Sequence, residues 1–319
     1  MDGGELTASV IDTGRTMGNI LSPVLCQLCP RRCGVNRRDG ELGFCRAGSE
    51  VEIYRYAPHF GEEPPITGTN GSGTVFFSRC TLACLYCQNY TWSQQGAGDV
   101  YDHKALVDVF RSLANDGCHN WNLVSPTPWL PQIDAAVESL RDEGISLPVV
   151  YNTSGYETCE TLSSYESLVD VYLADLRYSK ITTADKGSNA SDYVSAARSS
   201  LEMMWKRLGP LRCDENGVAI SGIICRLLVL PGFSGEVIDN LEWLADRLGT
   251  EVPVSIMSQY QPAHRALDLE PWNRHITRSE YDQVCDAVEL LGFETGWIQD
   301  FDEKVEDGLL GHTMPRGKG

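Results

Sequence analysis

Cys80, Cys84 and Cys87 stand in the run SRCTLACLYCQN, with three residues and then two between them. Two short gaps bring three thiolates onto one loop, which suits an iron–sulfur cluster. Such clusters ordinarily take four cysteines, so three leave one iron open to a ligand that is not protein. The intervening Thr81, Leu82, Ala83, Leu85 and Tyr86 are mostly apolar and would shield the cluster from water. A chance grouping, a zinc site or a disulfide scaffold are the ordinary alternatives. Zinc usually wants four ligands, and no Cys or His partners follow the triplet at zinc-finger spacing.

A second group, Cys26, Cys29, Cys33 and Cys45, is separated by two, three and eleven residues. Four thiolates complete either a tetrahedral zinc site or a fully ligated 4Fe–4S cluster. The two-and-three spacing, in a chain with cluster-type cysteines elsewhere, leans toward a second cluster; spacing alone leaves zinc open. The segment 24–50 is punctuated by Gly34, Gly40 and Gly43 and is too short for a core of its own, so a metal must hold it together.

Positioning these loops requires a scaffold. Short apolar runs at 74–78, 121–125, 148–152, 169–174, 222–229 and 253–257 read as strands. Helical patterns at 103–116, 130–143, 159–167, 190–208, 236–247 and 278–291 alternate with them. Six strand–helix units imply parallel strands, because each crossover needs a helix. Periodicity does not separate an open sheet from a barrel. Residues 58–73 read as a loop feeding the first strand, and TVFFS leads directly into Cys80.

With the strand ends in place, a family resemblance emerges. The C-x3-C-x2-C spacing with an aromatic before the last cysteine is similar to the cluster loop of radical S-adenosylmethionine (SAM) enzymes. Together with CQLCPRRC, EEPPITG, VSPTP and SQYQP, it resembles uncharacterised radical SAM proteins described as pyruvate formate-lyase activating enzyme-like, over about residues 25–300. The resemblance implies an α/β fold, a partial (β/α)6 TIM-type barrel with an N-terminal cysteine-rich metal-binding segment. Functional loops would then lie at the C-terminal strand ends. It also implies that SAM chelates the open iron and is cleaved to a 5′-deoxyadenosyl radical, which abstracts hydrogen from a substrate.

Carried over to this chain, the resemblance gives each strand end a role. Tyr86 would pack on the SAM adenine. Ser125 and Thr127, in VSPTP, stand where many relatives have Gly-Gly-Glu, so the methionyl ammonium would meet neutral oxygens. Asn152, Thr153 and Ser154 would face the ribose or methionyl part. Asp175 would accept from ribose hydroxyls and Arg177 would pair with the SAM carboxylate. Arg226, inside an apolar strand, should face the lumen and a carboxylate, since an unpaired guanidinium there is costly. Gln259, Tyr260 and His264 would line the substrate mouth. The implied substrate is a protein, as for glycyl-radical activating enzymes, with a small metabolite or short peptide as the alternative. The implied electron donor is a carrier such as flavodoxin or ferredoxin. A non-catalytic iron–sulfur or zinc protein is the remaining alternative, and it does not explain motifs at six strand ends.

Bulk properties bound the rest. The chain has 319 residues, 42% hydrophobic and 22% charged, an ordinary globular composition. A formal charge of −18 would repel a phosphate backbone and disfavours nucleic acid as a partner. The best apolar run, 220–230, contains Arg226, so no membrane span is expected. The first residues lack the basic flank and apolar core of a signal peptide. Seven of twelve cysteines crowd between Cys26 and Cys87, which favours metal binding in a reducing, cytoplasmic compartment over six disulfides. The expected organisation is a tail at 1–23, the cysteine-rich segment and loop at 24–73, the barrel at 74–302 and a tail at 303–319.

Overall fold

A period of two along each strand sorts the side chains of this protein into two separate cores. The computed structural model describes residues 25–301, and the expected tails at 1–23 and 303–319 lie outside the described residues. The chain runs through β1 (Val51–His59), α1 (Pro64–Thr67), β2 (Ser72–Phe77), α2 (Tyr90–Ser93), β3 (Asp99–Tyr101), α3 (His103–Asn115) and β4 (Trp121–Val124). It continues with α4 (Leu130–Asp142), β5 (Val149–Thr153), α5 (Cys159–Ser164), β6 (Val171–Asp175), α6 (Ile181–Ser188) and α7 (Tyr193–Leu208). The last elements are β7 (Arg212–Cys213), β8 (Ala219–Leu228), α8 (Ser234–Arg247), β9 (Val254–Met257), α9 (Arg278–Leu291) and β10 (Gly296–Ile298).

The six expected strands are β2, β4, β5, β6, β8 and β9, and they pair in that order, all parallel. A seventh parallel strand, β10, follows β9. At the other end β1 and β3 add antiparallel, where the sequence reading assigns no strand. The helices form where expected because their apolar residues recur at three and four. In α3, Leu106, Val107, Val109, Phe110 and Leu113 are buried, and Asp102 caps the first turn through Ala105 N at 2.8 Å. Two differences stand out. The short polar helix α6 was not expected, and α7 begins at Tyr193 rather than at 190.

One face of the sheet packs on the helices. Leu123, Tyr151, Tyr172, Ile223, Leu227 and Ile256 belong to that outer core with the helix residues. The opposite face curls around a lumen. Val150, Val171, Leu173 and Ile224 meet there with Ile66 of α1, which plugs the lower lumen. One or two positions further along, Asn152, Asp175, Arg226 and Ser255 face an open cavity. Residues of β2, β4, β5, β6, β8, β9 and β10 all line it, so the sheet is a barrel that does not close. Among the described residues, no helix is long and apolar enough to cross a membrane.

Candidate functional site

The cluster loop leaves β2 at Phe77 and carries all three cysteines to the wall of a cavity of about 430 Å³. The loop is held from behind: Ala83 N and Leu85 N donate to the carbonyls of Ser188 and Gly187, at 3.3 and 2.8 Å. Its apolar residues Leu82 and Leu85 are buried, as the sequence suggested. Cys84 is buried, while Cys80 and Cys87 are half-buried. Desolvation, reinforced by the neighbouring Cys84, pushes the Cys80 thiol up to about 12 and the Cys87 thiol up to about 11. Metal binding must therefore displace protons here.

Each sulfur has a hydrogen-bond partner. Leu82 N donates to Cys80 Sγ at 3.5 Å, and Ser93 Oγ lies 3.2 Å from Cys87 Sγ. Cys84 Sγ lies 2.9 Å from Ser188 Oγ and accepts from Arg177 Nη1 at 3.0 Å. Among the described residues, no three Cys, His, Asp or Glu side chains converge closely enough to hold one metal ion. Three thiols on one cavity wall could each meet a different iron of one cluster.

Around the cavity stand most of the other expected residues. Tyr86, Ser125, Asn152, Thr153, Ser154, Asp175, Arg177, Arg226, Gln259 and Tyr260 all line it. Tyr86 is fixed by its hydroxyl, 2.7 Å from that of Tyr178, and one ring face stacks on Trp272 with centroids 5.2 Å apart. Gly155 takes φ +77°, and a Cβ there would stand 2.3 Å from the Asp175 carbonyl oxygen. Only glycine lets the ends of β5 and β6 approach this closely.

Two expected residues are elsewhere. Thr127 does not line the cavity. Ser125 adopts φ +56°, and a 3-10 turn at Thr127–Trp129 follows, which takes Thr127 into a buried network instead. Its hydroxyl donates to Glu157 Oε1 at 2.8 Å. His264 does not line the cavity either; its ring stacks on Tyr90 at 4.5 Å.

The arginines face the lumen, but protein carboxylates already meet them. Arg177 Nε and Nη2 donate to Asp175 Oδ2 at 3.1 and 2.6 Å. Arg226 Nε and Nη2 fork onto Glu63 at 2.7 and 2.5 Å, and Nη2 also reaches Glu62. Asn122 Nδ2 donates to Glu62 Oε1 at 2.8 Å. Arg226 beside Glu63 holds its carboxyl below the usual range, against the upward push of burial. The signal for Glu62 and Glu63 in the sequence is the acid pair before two prolines in EEPPITG, together with an arginine inside an apolar strand that needs a carboxylate.

Glu157 was also missed. Its Oε1 accepts from Thr127 and from Thr153 at 2.5 Å, while Oε2 is buried without a partner. Desolvation pushes its carboxyl up to about 7, against the lowering effect of the Thr153 and Thr127 hydrogen bonds.

The second cysteine group lies on a segment tied to the first loop by Arg31 Nε, which donates to Thr81 O at 3.2 Å. Cys26 and Cys29 are buried, and Cys33 and Cys45 half-buried. Arg37 Nη2 donates to Cys26 Sγ at 3.1 Å and to Cys45 Sγ at 3.8 Å, and Phe44 N donates to Cys33 Sγ at 3.3 Å. Arg37 Nη1 also ties the segment to Pro128 O at 2.6 Å. Burial pushes the Cys29 and Cys45 thiols up. The only regular element described in this segment is a three-residue 3-10 turn at Arg37–Asp39, so backbone order must come from elsewhere.

No family model matches the sequence. Two uncharacterized proteins of Methanocaldococcus jannaschii are similar to it. MJ0674 is 27% identical over 277 residues, covering 84% of this chain and 75% of that protein. MJ0808 is 22% identical over 267 residues, covering 78% and 74%. Among solved structures, HydG, a maturase of the [FeFe]-hydrogenase, matches with TM-score 0.46 and 14% identity over 69% of this chain and 49% of its own. Native anSMEcpe with bound AdoMet matches with TM-score 0.44 and 10% identity, over 68% of this chain and 61% of its own. The chain thus spans about half of HydG and about three-fifths of anSMEcpe.

Proposed function

We propose that this protein is a radical SAM enzyme whose Cys80, Cys84 and Cys87 hold a 4Fe–4S cluster with one iron open to SAM. The observation that carries the reading is three thiols of one short loop on one lumen wall, each with its own hydrogen-bond partner. When bound, the cluster supplies a low-potential electron that cleaves the SAM sulfonium and yields a hydrogen-abstracting radical. The chain's own residues do the rest. Leu82, Leu85 and the Ile66 plug exclude water, and Tyr86, Asn152, Ser154 and Asp175 line the space for the nucleoside and methionyl parts.

The acid missing from the VSPTP loop has a substitute in Glu62 and Glu63, which share one guanidinium and line the same cavity. A cationic end of SAM would find its charge partner there rather than at Thr127.

A cavity of about 430 Å³ is at the small end for ligand pockets. SAM would take most of it, so the substrate presents its hydrogen from the mouth, as a segment of a protein can. This favours a protein substrate, in the manner of glycyl-radical activating enzymes, over a small metabolite enclosed with SAM. Cys26, Cys29, Cys33 and Cys45 hold a second centre, and their two-and-three spacing beside cluster-type cysteines favours a second cluster over zinc. A flavodoxin- or ferredoxin-like carrier is the proposed electron source.

Anaerobic reconstitution with iron, sulfide, SAM and reductant tests the reading. It predicts 5′-deoxyadenosine and methionine as products. A fully loaded protein that yields neither overturns it.

A further inference from the structure

The three cluster sulfurs are not equivalent. Cys80 and Cys87 meet neutral partners, a backbone amide at 3.5 Å and a serine hydroxyl at 3.2 Å. Cys84 alone meets a full positive charge, Arg177 Nη1 at 3.0 Å. That guanidinium is pre-aimed. Asp175 Oδ2 accepts from both Nε and Nη2, and the backbone N of Arg177 donates to Tyr193 Oη at 3.1 Å. Tyr193 Oη in turn donates to the Ser154 carbonyl at 2.8 Å, locking the ends of β5 and β6 together. The Arg177–Asp175 side chains are 23% and 22% exposed, so solvent only partly screens them.

Hydrogen bonds to cluster sulfurs and nearby charge set reduction potential, and a charge-assisted bond is roughly twice as strong as a neutral one. We propose that Arg177 is a positioning residue acting through Cys84: it makes the cluster easier to reduce, and Asp175 holds this effect in check. The inference rests on the cluster reading above and concerns residues that the sequence had assigned to the SAM carboxylate and ribose. The sign follows from charge. Reduction adds one electron to the cluster, and a fixed cation against Cys84 Sγ stabilises the added negative charge. Removing the cation should favour the oxidised state. Removing Asp175, which neutralises that cation, should do the reverse.

The test is a redox titration of the reconstituted protein without SAM, using dithionite with mediators and reading the reduced cluster by its electron-spin signal. In Arg177→Gln, the reduced-to-oxidised ratio at a fixed potential should fall about tenfold, a downward move of about 59 mV for one electron. Arg177→Lys should restore most of it. Asp175→Asn should move the midpoint upward, a reversal that general loosening of the loop would not produce. If Arg177→Gln does not fold, Arg177→Lys and Asp175→Asn carry the test alone. Loaded variants whose midpoints match the parent, or all move the same way, overturn the inference. Protein that takes up no iron–sulfur cluster overturns the underlying reading instead.

Discussion

Arg31 Nε donates to the carbonyl oxygen of Thr81 at 3.2 Å, which joins the N-terminal cysteine segment to the loop of Cys80, Cys84 and Cys87. The same guanidinium reaches Ser188 O at 3.5 Å, and Ser188 Oγ stands 2.9 Å from Cys84 Sγ. A side chain between two cysteines of one group thus braces the backbone of the other. The two groups are one mechanical unit.

Loss of the second centre should therefore be felt at the first. A Cys26→Ala, Cys29→Ala variant removes two of the ligands proposed for that centre, whose metal binding would be folding energy. Amide exchange should quicken over residues 25–49 and also over 80–88, with α8 and α9 unchanged. Exchange confined to 25–49 would contradict the bracing role of Arg31. Metal analysis of protein lacking Cys80, Cys84 and Cys87 reports the second site alone: iron and sulfide are expected, and one equivalent of zinc would reject the second cluster.

Arg226, Glu62 and Glu63 form a buried charge group, with side chains 11%, 8% and 6% exposed. Arg226→Met leaves two carboxylates uncompensated and should cost about 3–5 kcal/mol of stability. Adding Glu62→Gln and Glu63→Gln to that variant should recover most of the loss, because the stranded charge is gone. Chemical denaturation decides it, and a triple variant no more stable than Arg226→Met would show that shape rather than charge matters there.

Glu157 gives a pH signature. Its folded-state carboxyl titrates at about 7, raised from a usual 4.5 by desolvation. A raised value means that the stability this group supports is fully present below 4.5 and is lost as pH rises through 7. The loss amounts to roughly 3 kcal/mol. Glu157→Gln should flatten the decline between pH 4.5 and 8, read as unfolding free energy at each pH. An unchanged slope would mean that the carboxyl finds a partner for Oε2.

Much of the scaffold was legible because strands and helices differ in period. Runs such as 148–152 and 222–229 are short and apolar and alternate with helical patterns, and the crossover helices between them imply the parallel pairing found. The strand β1 is missed although Val51 and Ile53 are buried on one side, because the metal-held segment ends at 50, the loop reading begins at 58, and the short run between them carries no assignment. That Cys80, Cys84 and Cys87 share one cavity wall was legible because they are neighbours on one short loop. The partners of Arg226 were not: Glu63 is 163 residues away, and a single sequence does not reveal which acid folds onto which base. Thr127 went astray for a conformational reason, the left-handed backbone at Ser125, which is rarely adopted by serine and leaves no mark in the sequence.

The most direct measurement is product analysis of the triple variant Cys80→Ala, Cys84→Ala, Cys87→Ala beside the parent, both reconstituted anaerobically with SAM and dithionite. The account predicts 5′-deoxyadenosine and methionine from the parent and neither above background from the variant, which still carries iron at Cys26, Cys29, Cys33 and Cys45. Formation of 5′-deoxyadenosine by the triple variant at the parent's rate would contradict it.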